Sequence, residues 1–184
     1  MSKKYENTKM KQKQSLSLFK QGKFLEAEAN FKDILSKNNS DLISLIYLGR
    51  IKLLCNKLIK AEELLTKALR LKPKKKAISY YLGEVYYRLG NYKKAVECYK
   101  TIGRISIAEK LASFNGQKSY VIEGDKDIVS INFVVSEPLP VIQVIVNNSK
   151  PANFFIDTGG GEIILDSTFA QEVETQNFGD ELGQ

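Results

Sequence analysis

Residues 45–73 read LIYLGRIKLLCNKLIKAEELLTKALRLKP. Leu45, Leu48 and Leu53, then Leu58, Ala61, Leu65 and Ala68, place apolar side chains three and four positions apart, the spacing of two successive amphipathic helices. Pro73 has no N–H to continue a helix and ends the second one. Working outward, Ala61 has counterparts at Ala27 and Ala95, Leu65 at Phe31 and Tyr99, the turn residue Asn56 at Gly22 and Gly90, and Gly49 at Gly83, always 34 residues away. Four columns sharing one period predict a helical hairpin repeated three times. The small residues belong where the two helices cross and backbones come close, with the bulky column filling the space beside them.

Residues 8–109 resemble tetratricopeptide repeats, in units of about 8–41, 42–75 and 76–109, with Leu48-Gly49, Ala61, Leu65, Ala68 and Pro73 nearest to the signature. Ser15 stands where unit one would carry the Gly, and Asn39 where it would carry the Pro; unit three also lacks the Pro. A short amphipathic helix over 105–114, closed by Asn115-Gly116, caps the last hairpin, so residues 1–116 read as an all-α solenoid. The resemblance implies a concave face built from first helices, and it puts Arg50, Tyr80, Tyr87 and Arg88 there as a candidate peptide groove. Cys55 and Cys98 fall within predicted helices and are expected as small buried hydrophobes.

Composition removes whole classes of chemistry. With no histidine in 184 residues, imidazole acid–base catalysis, histidine-based triads and histidine metal ligation are excluded. Two cysteines 43 positions apart suggest neither a thiolate metal site nor a disulfide framework, so no metal or cofactor is expected and a reduced, cytoplasmic setting fits best. No stretch has the apolar length of a signal sequence or a membrane span. Residues 1–110 carry 25 Lys and Arg against 10 Asp and Glu and the remainder 3 against 11, which recovers the overall +7 and marks two different modules. The lysines are scattered through helical pattern rather than gathered in an arm, so a nucleic-acid partner is not expected. Lys72, Lys74, Lys75 and Lys76 around Pro73 read as a solvated turn.

Beyond Gly116 the period changes to alternation. Runs at 119–122, 129–135, 141–146, 153–156 and 162–165 read as strands between Gly, Asp, Asn and Pro. Pro140-Val141-Ile142-Gln143-Val144-Ile145-Val146 and Ala152-Asn153-Phe154-Phe155-Ile156 form a hairpin around Asn147-Asn148-Ser149-Lys150-Pro151. The second strand runs directly into Asp157-Thr158-Gly159 and then glycines. These glycines lack the Lys-Ser/Thr of a phosphate loop. Asp166, Ser167 and Thr168 offer capping oxygens for a helix start, with Thr168 and Gln171 at capping-box spacing.

Residues 138–173 resemble the retropepsin-like aspartic peptidases of the kind fused behind helical repeats in bacteria. The implied fold class is α+β: an all-α tetratricopeptide solenoid followed, over 118–184, by the N-terminal part of a β-rich acid-protease domain. In such enzymes two carboxylates share a proton and activate water. The resemblance makes Asp157 the catalytic carboxylate, Thr158 a hydrogen-bonding neighbour and Gly159 the residue that permits the turn. Asp166-Ser167-Thr168 lacks the Gly, so the second aspartate would come from another copy of the chain, implying a homodimer where the peptidase domain is complete. Gly160-Gly161 replaces the Ala or Ser common after the triplet. Only 27 residues follow Asp157, so the resemblance is to a truncated member. Two functions stand open: an aspartic endopeptidase whose repeats engage protein substrates, inactive as this chain, and a non-catalytic adaptor binding a peptide or protein.

Overall fold

The computed structural model describes residues 3–114, 116–117, 128–158 and 163–175. They fall into two compact units, one helical and preceding residue 118, the other spanning the described residues from 128 to 175.

The helical unit is a run of antiparallel hairpins: α1 (Lys3–Lys20) with α2 (Phe24–Lys37), α3 (Leu42–Leu54) with α4 (Leu58–Leu71), and α5 (Lys76–Arg88) with α6 (Tyr92–Ile102), followed by α7 (Ile105–Ser113). The repeat columns become its core. Ala27, Ala61 and Ala95 are completely buried, and Phe31, Leu65 and Tyr99 are buried beside them. A Cβ on Gly49 would lie 2.7 Å from Leu65 Cγ, and one on Gly83 would lie 3.1 Å from the Tyr99 ring. The glycine column is therefore a close approach of first helix onto second. In unit one the fully buried Ser15 takes this place, its hydroxyl donating to the Lys11 carbonyl at 2.6 Å.

The turn column has its own cause. Gly22, Asn56 and Gly90 all adopt left-handed backbone, with φ of 75°, 53° and 69°. The N–H of each donates to the carbonyl three residues back, and the following N–H reaches five residues back: Lys23 to Leu18, Lys57 to Lys52, Asn91 to Tyr86. That double bond closes each first helix and turns the chain into the second. Asp41 caps α3 by accepting from Ser44 N–H at 2.9 Å, and Asn91 caps α6 by accepting from Lys94 N–H. α4 ends at Leu71, two residues before Pro73.

Cys98 lies half-buried within α6, but Cys55 is exposed at the end of α3, where the left-handed Asn56 has already begun the turn. The expectation of a buried Cys55 is thus corrected.

In the second unit β1 (Val141–Val144) pairs antiparallel with β2 (Ala152–Phe155), Val141 facing Phe155 and Val144 facing Ala152. Asn147 and Asn148 turn the connecting loop in left-handed conformation. α8 (Ser167–Glu172) follows, capped by Asp166, whose carboxylate accepts from the N–H groups of Thr168 and Phe169. The cap is thus Asp166 rather than a Thr168–Gln171 box. Phe169 meets Phe154 edge-on at 6.1 Å, and Asn147 Nδ2 donates to the Val173 carbonyl at 2.7 Å.

The β content is smaller than the alternation suggests. Of the predicted run 129–135 only Val135 joins the ladder, by a single bridge to Val141, and residues 163–165 form no strand. Ile163 and Ile164 are 83% and 90% exposed, and no strand among the described residues pairs with them. The predicted strand 119–122 lies outside the described residues. Among the described residues the sheet has two strands, and the fold is mostly a helical repeat.

Candidate functional site

Three first helices, α1, α3 and α5, present Phe19, Arg50 and Tyr81. The Arg50 guanidinium carbon sits 4.7 Å from the centre of the Phe19 ring and 4.7 Å from that of Tyr81, with Tyr47 at 5.2 Å. A planar cation between aromatic faces is held by the ring quadrupoles at about 1 kcal/mol per contact, more where water is excluded. Tyr47 extends the ladder inward, edge-on to Phe19 at 5.1 Å and stacked on Phe31 at 5.7 Å. Phe24, opening α2, meets Phe19 edge-on at 5.2 Å. Arg50 makes no hydrogen bond or ion pair with the described residues.

Phe19, Arg50 and Tyr81 are 31 residues apart. That is three short of the repeat, so each step to the next unit moves back about one helical turn while keeping to one face. A diagonal of this kind is invisible to the 34-residue columns that reveal the fold. Phe19, Tyr47 and Tyr81 were absent from the predicted groove: Phe19 and Tyr81 lie 31 residues either side of Arg50, which a scan at a period slightly below the repeat would have found, whereas Tyr47 and Tyr81 stand 34 apart, a further column at the repeat period itself.

The four predicted groove residues do not form one cluster. Tyr80 is 38% exposed and sits edge-on to Tyr81 at 5.5 Å, which joins it to Arg50 through one ring. Tyr87 is half-buried and packs on Tyr92 of α6. Arg88 is exposed and reaches back across the units to donate to the Leu53 carbonyl at 3.4 Å, at the C-terminal end of α3. On the same helix Glu84 accepts from the Tyr99 hydroxyl at 2.6 Å. Burial and this carboxylate push the Tyr99 phenol far above its ordinary pKa, so it stays a donor.

Beside Arg50 the surface opens into a cleft of about 430 Å3, lined by Phe19, Lys20, Phe24, Tyr47, Arg50 and Leu54 together with Gly22. Among the described residues no carboxylate lines it.

In the second unit Asp157 and Thr158 are exposed just past β2, where Ile156 N–H still donates to the Pro140 carbonyl. Gly159 lies outside the described residues. No group of three or more Cys, Asp or Glu able to hold a metal occurs among the described residues. No described helix is long and apolar enough to cross a membrane.

The tetratricopeptide repeat family matches residues 56–105, within the helical unit. No curated protein matches the chain in sequence. Among solved structures it is similar to an O-GlcNAc transferase of Thermobaculum terrenum, at 19% identity and a TM-score of 0.54, over 57% of this chain and 20% of that one. It is similar to the TPR domain of Sgt2 from Aspergillus fumigatus at 15% identity and 0.54, over 67% and 91%. It is also similar to PcrH in complex with the chaperone-binding region of PopB, at 15% identity and 0.51, over 63% and 95%. Thus the chain spans a fifth of the transferase it resembles and nearly all of the two smaller domains. At these identities the likeness is one of fold.

Proposed function

We propose that the chain is a non-catalytic adaptor, in which the helical unit holds a peptide from a protein partner across the face formed by α1, α3 and α5. The observation that carries this is the aromatic and cationic ladder of Phe19, Arg50 and Tyr81. It sits beside an open cleft, and no carboxylate of the described residues neutralises its cation. Aromatic rings and arginine concentrate binding energy at protein interfaces because they combine area, planarity and directional donors. The likeness to PcrH, a structure with a bound partner region, supports the same use of the fold. The test is a displayed library of random-sequence peptides equilibrated with the purified chain. Saturable enrichment, lost in a Phe19→Ala, Tyr80→Ala double variant that melts like the wild type, is the expected result. No enrichment, or enrichment indifferent to that variant, overturns the reading.

A second reading attaches to the hairpin unit, because Asp157 emerges exposed just past the end of β2 and leads into Thr158-Gly159. An aspartic peptidase needs two carboxylates around one water, and this chain carries a single Asp-Thr-Gly triplet. On the adaptor reading the chain cleaves no unstructured protein substrate between acidic and neutral pH. Cleavage blocked by a statine-type mimic and abolished by Asp157→Asn would reverse the assignment.

A further inference from the structure

We propose that the cleft beside Arg50 binds an acidic peptide, the carboxylate of an Asp or Glu side chain pairing with Arg50 while a neighbouring apolar side chain of the same peptide fills the space among Phe19, Phe24 and Tyr47. This rests on the docking reading above and narrows it to one ligand chemistry.

The argument begins with the cation. Arg50 is half-buried and fixed by rings on two sides, yet its five N–H donors have no acceptor among the described residues. Stacking satisfies the face of a guanidinium but not its edge, and the edge is what a carboxylate meets with two parallel hydrogen bonds. Because the rings already restrict the side chain, binding an anion freezes little further motion, which favours affinity.

Charge around the cleft points the same way. Lys20, exposed at the end of α1, and Arg50 both line it, and none of the described residues lining it is acidic. Residues 1–110 have 15 more cationic than anionic side chains, so the field of the helical unit attracts anions from a distance. Two cations match a carboxylate better than a phosphate dianion, which usually draws on a larger cluster of donors.

The apolar half is equally specific. Phe19 and Phe24 form an edge-on pair at 5.2 Å, Tyr47 stands behind them, and Leu54 is 56% exposed at the margin. A volume of about 430 Å3 is ample for one leucine or phenylalanine side chain with backbone on either side, within the usual range of small-ligand clefts. The recognised element is therefore an acidic residue next to a large apolar one.

The probe is a positional-scanning hexapeptide library, acetylated and amidated so that only side chains carry charge, read by binding to the full chain and to Arg50→Gln and Arg50→Lys. The wild type should select Asp or Glu beside Leu, Ile or Phe, with affinity falling as salt rises. Arg50→Gln should lose the acidic preference and about tenfold in affinity. Arg50→Lys should keep the preference with weaker binding, because it restores the charge but not the planar fork. Melting curves of the variants verify folding. Selection of neutral or basic peptides, an acidic preference that survives Arg50→Gln, or preference for phosphoserine or for a free C-terminal carboxylate in parallel libraries overturns the proposal while leaving the docking reading intact. Absence of any selection overturns both.

Discussion

Ser44 is completely buried and its hydroxyl has no hydrogen-bond partner among the described residues. An unpaired buried hydroxyl costs about 1–3 kcal/mol of desolvation, so Ser44→Ala is expected to stabilise the chain by about 1 kcal/mol in urea unfolding. Ser15 provides the internal control, because its hydroxyl is equally buried but donates to the Lys11 carbonyl; Ser15→Ala should be neutral or destabilising. Equal losses at both positions would show that Ser44 does have a partner. The two cysteines divide in a similar way. Burial pushes the Cys98 thiol up to about 11, while Cys55 is exposed. A thiol reagent near neutral pH should modify Cys55 quickly and Cys98 only as the chain unfolds, which mass spectrometry of partly labelled protein checks. The helical period alone put both in helices. Only the left-handed Asn56 moves Cys55 out to the turn, and the sequence displays that residue as a turn column without showing which neighbour it exposes.

Between elements, the 34-residue columns were legible because each marks a contact that every hairpin must make: helix onto helix at Gly49 and Leu65, chain reversal at Asn56. This gives a sharp test. A methyl at Gly49 would meet Leu65 Cγ at 2.7 Å, so Gly49→Ala should cost about 1–3 kcal/mol through overpacking. Leu65→Ala should cost about 2–5 kcal/mol through the cavity it leaves. In the double variant the new methyl occupies part of that cavity. The two costs should therefore fall short of adding by at least about 0.5 kcal/mol in a denaturation cycle, and simple additivity would refute the crossing. What the columns do not encode is how one hairpin stacks on the next, since that offset sets a different spacing. The Phe19, Arg50 and Tyr81 diagonal lies on it, and so the site was only half legible, through Arg50 and Tyr80. The alternation after residue 128 misled for a related reason. Alternating apolar residues are compatible with a strand, but a strand needs a neighbour; β1 and β2 have each other, whereas Ile163 and Ile164 have none among the described residues.

For the molecule as a whole, the split in charge obliges the basic helical unit to place its few carboxylates where they count. Glu28 on α2 pairs with Lys32 on its own helix and with the buried Lys52 on α3, so that one carboxylate ties the first hairpin to the second. Hydrogen bonds from Lys32 and then Lys52 hold its pKa below the usual 4.5, and those from Lys11 and Lys37 lower Asp33 in the same direction. A carboxyl with a lower pKa folded than unfolded stabilises the fold fully above the unfolded value, and that contribution disappears as pH falls through the folded value. Stability should therefore be level above about pH 5 and decline below the ordinary carboxylate range. Glu28→Gln should be less stable than the wild type near neutrality by about 2 kcal/mol, because Lys52 is left with a weaker acceptor in a buried place. The two proteins should converge in acid, where the wild-type carboxylate is itself protonated. Urea unfolding followed by helical circular dichroism at a series of pH values measures this directly. Curves that stay parallel into acid would mean that Glu28 supports the fold by packing rather than by charge, and that the join between the first two hairpins is apolar.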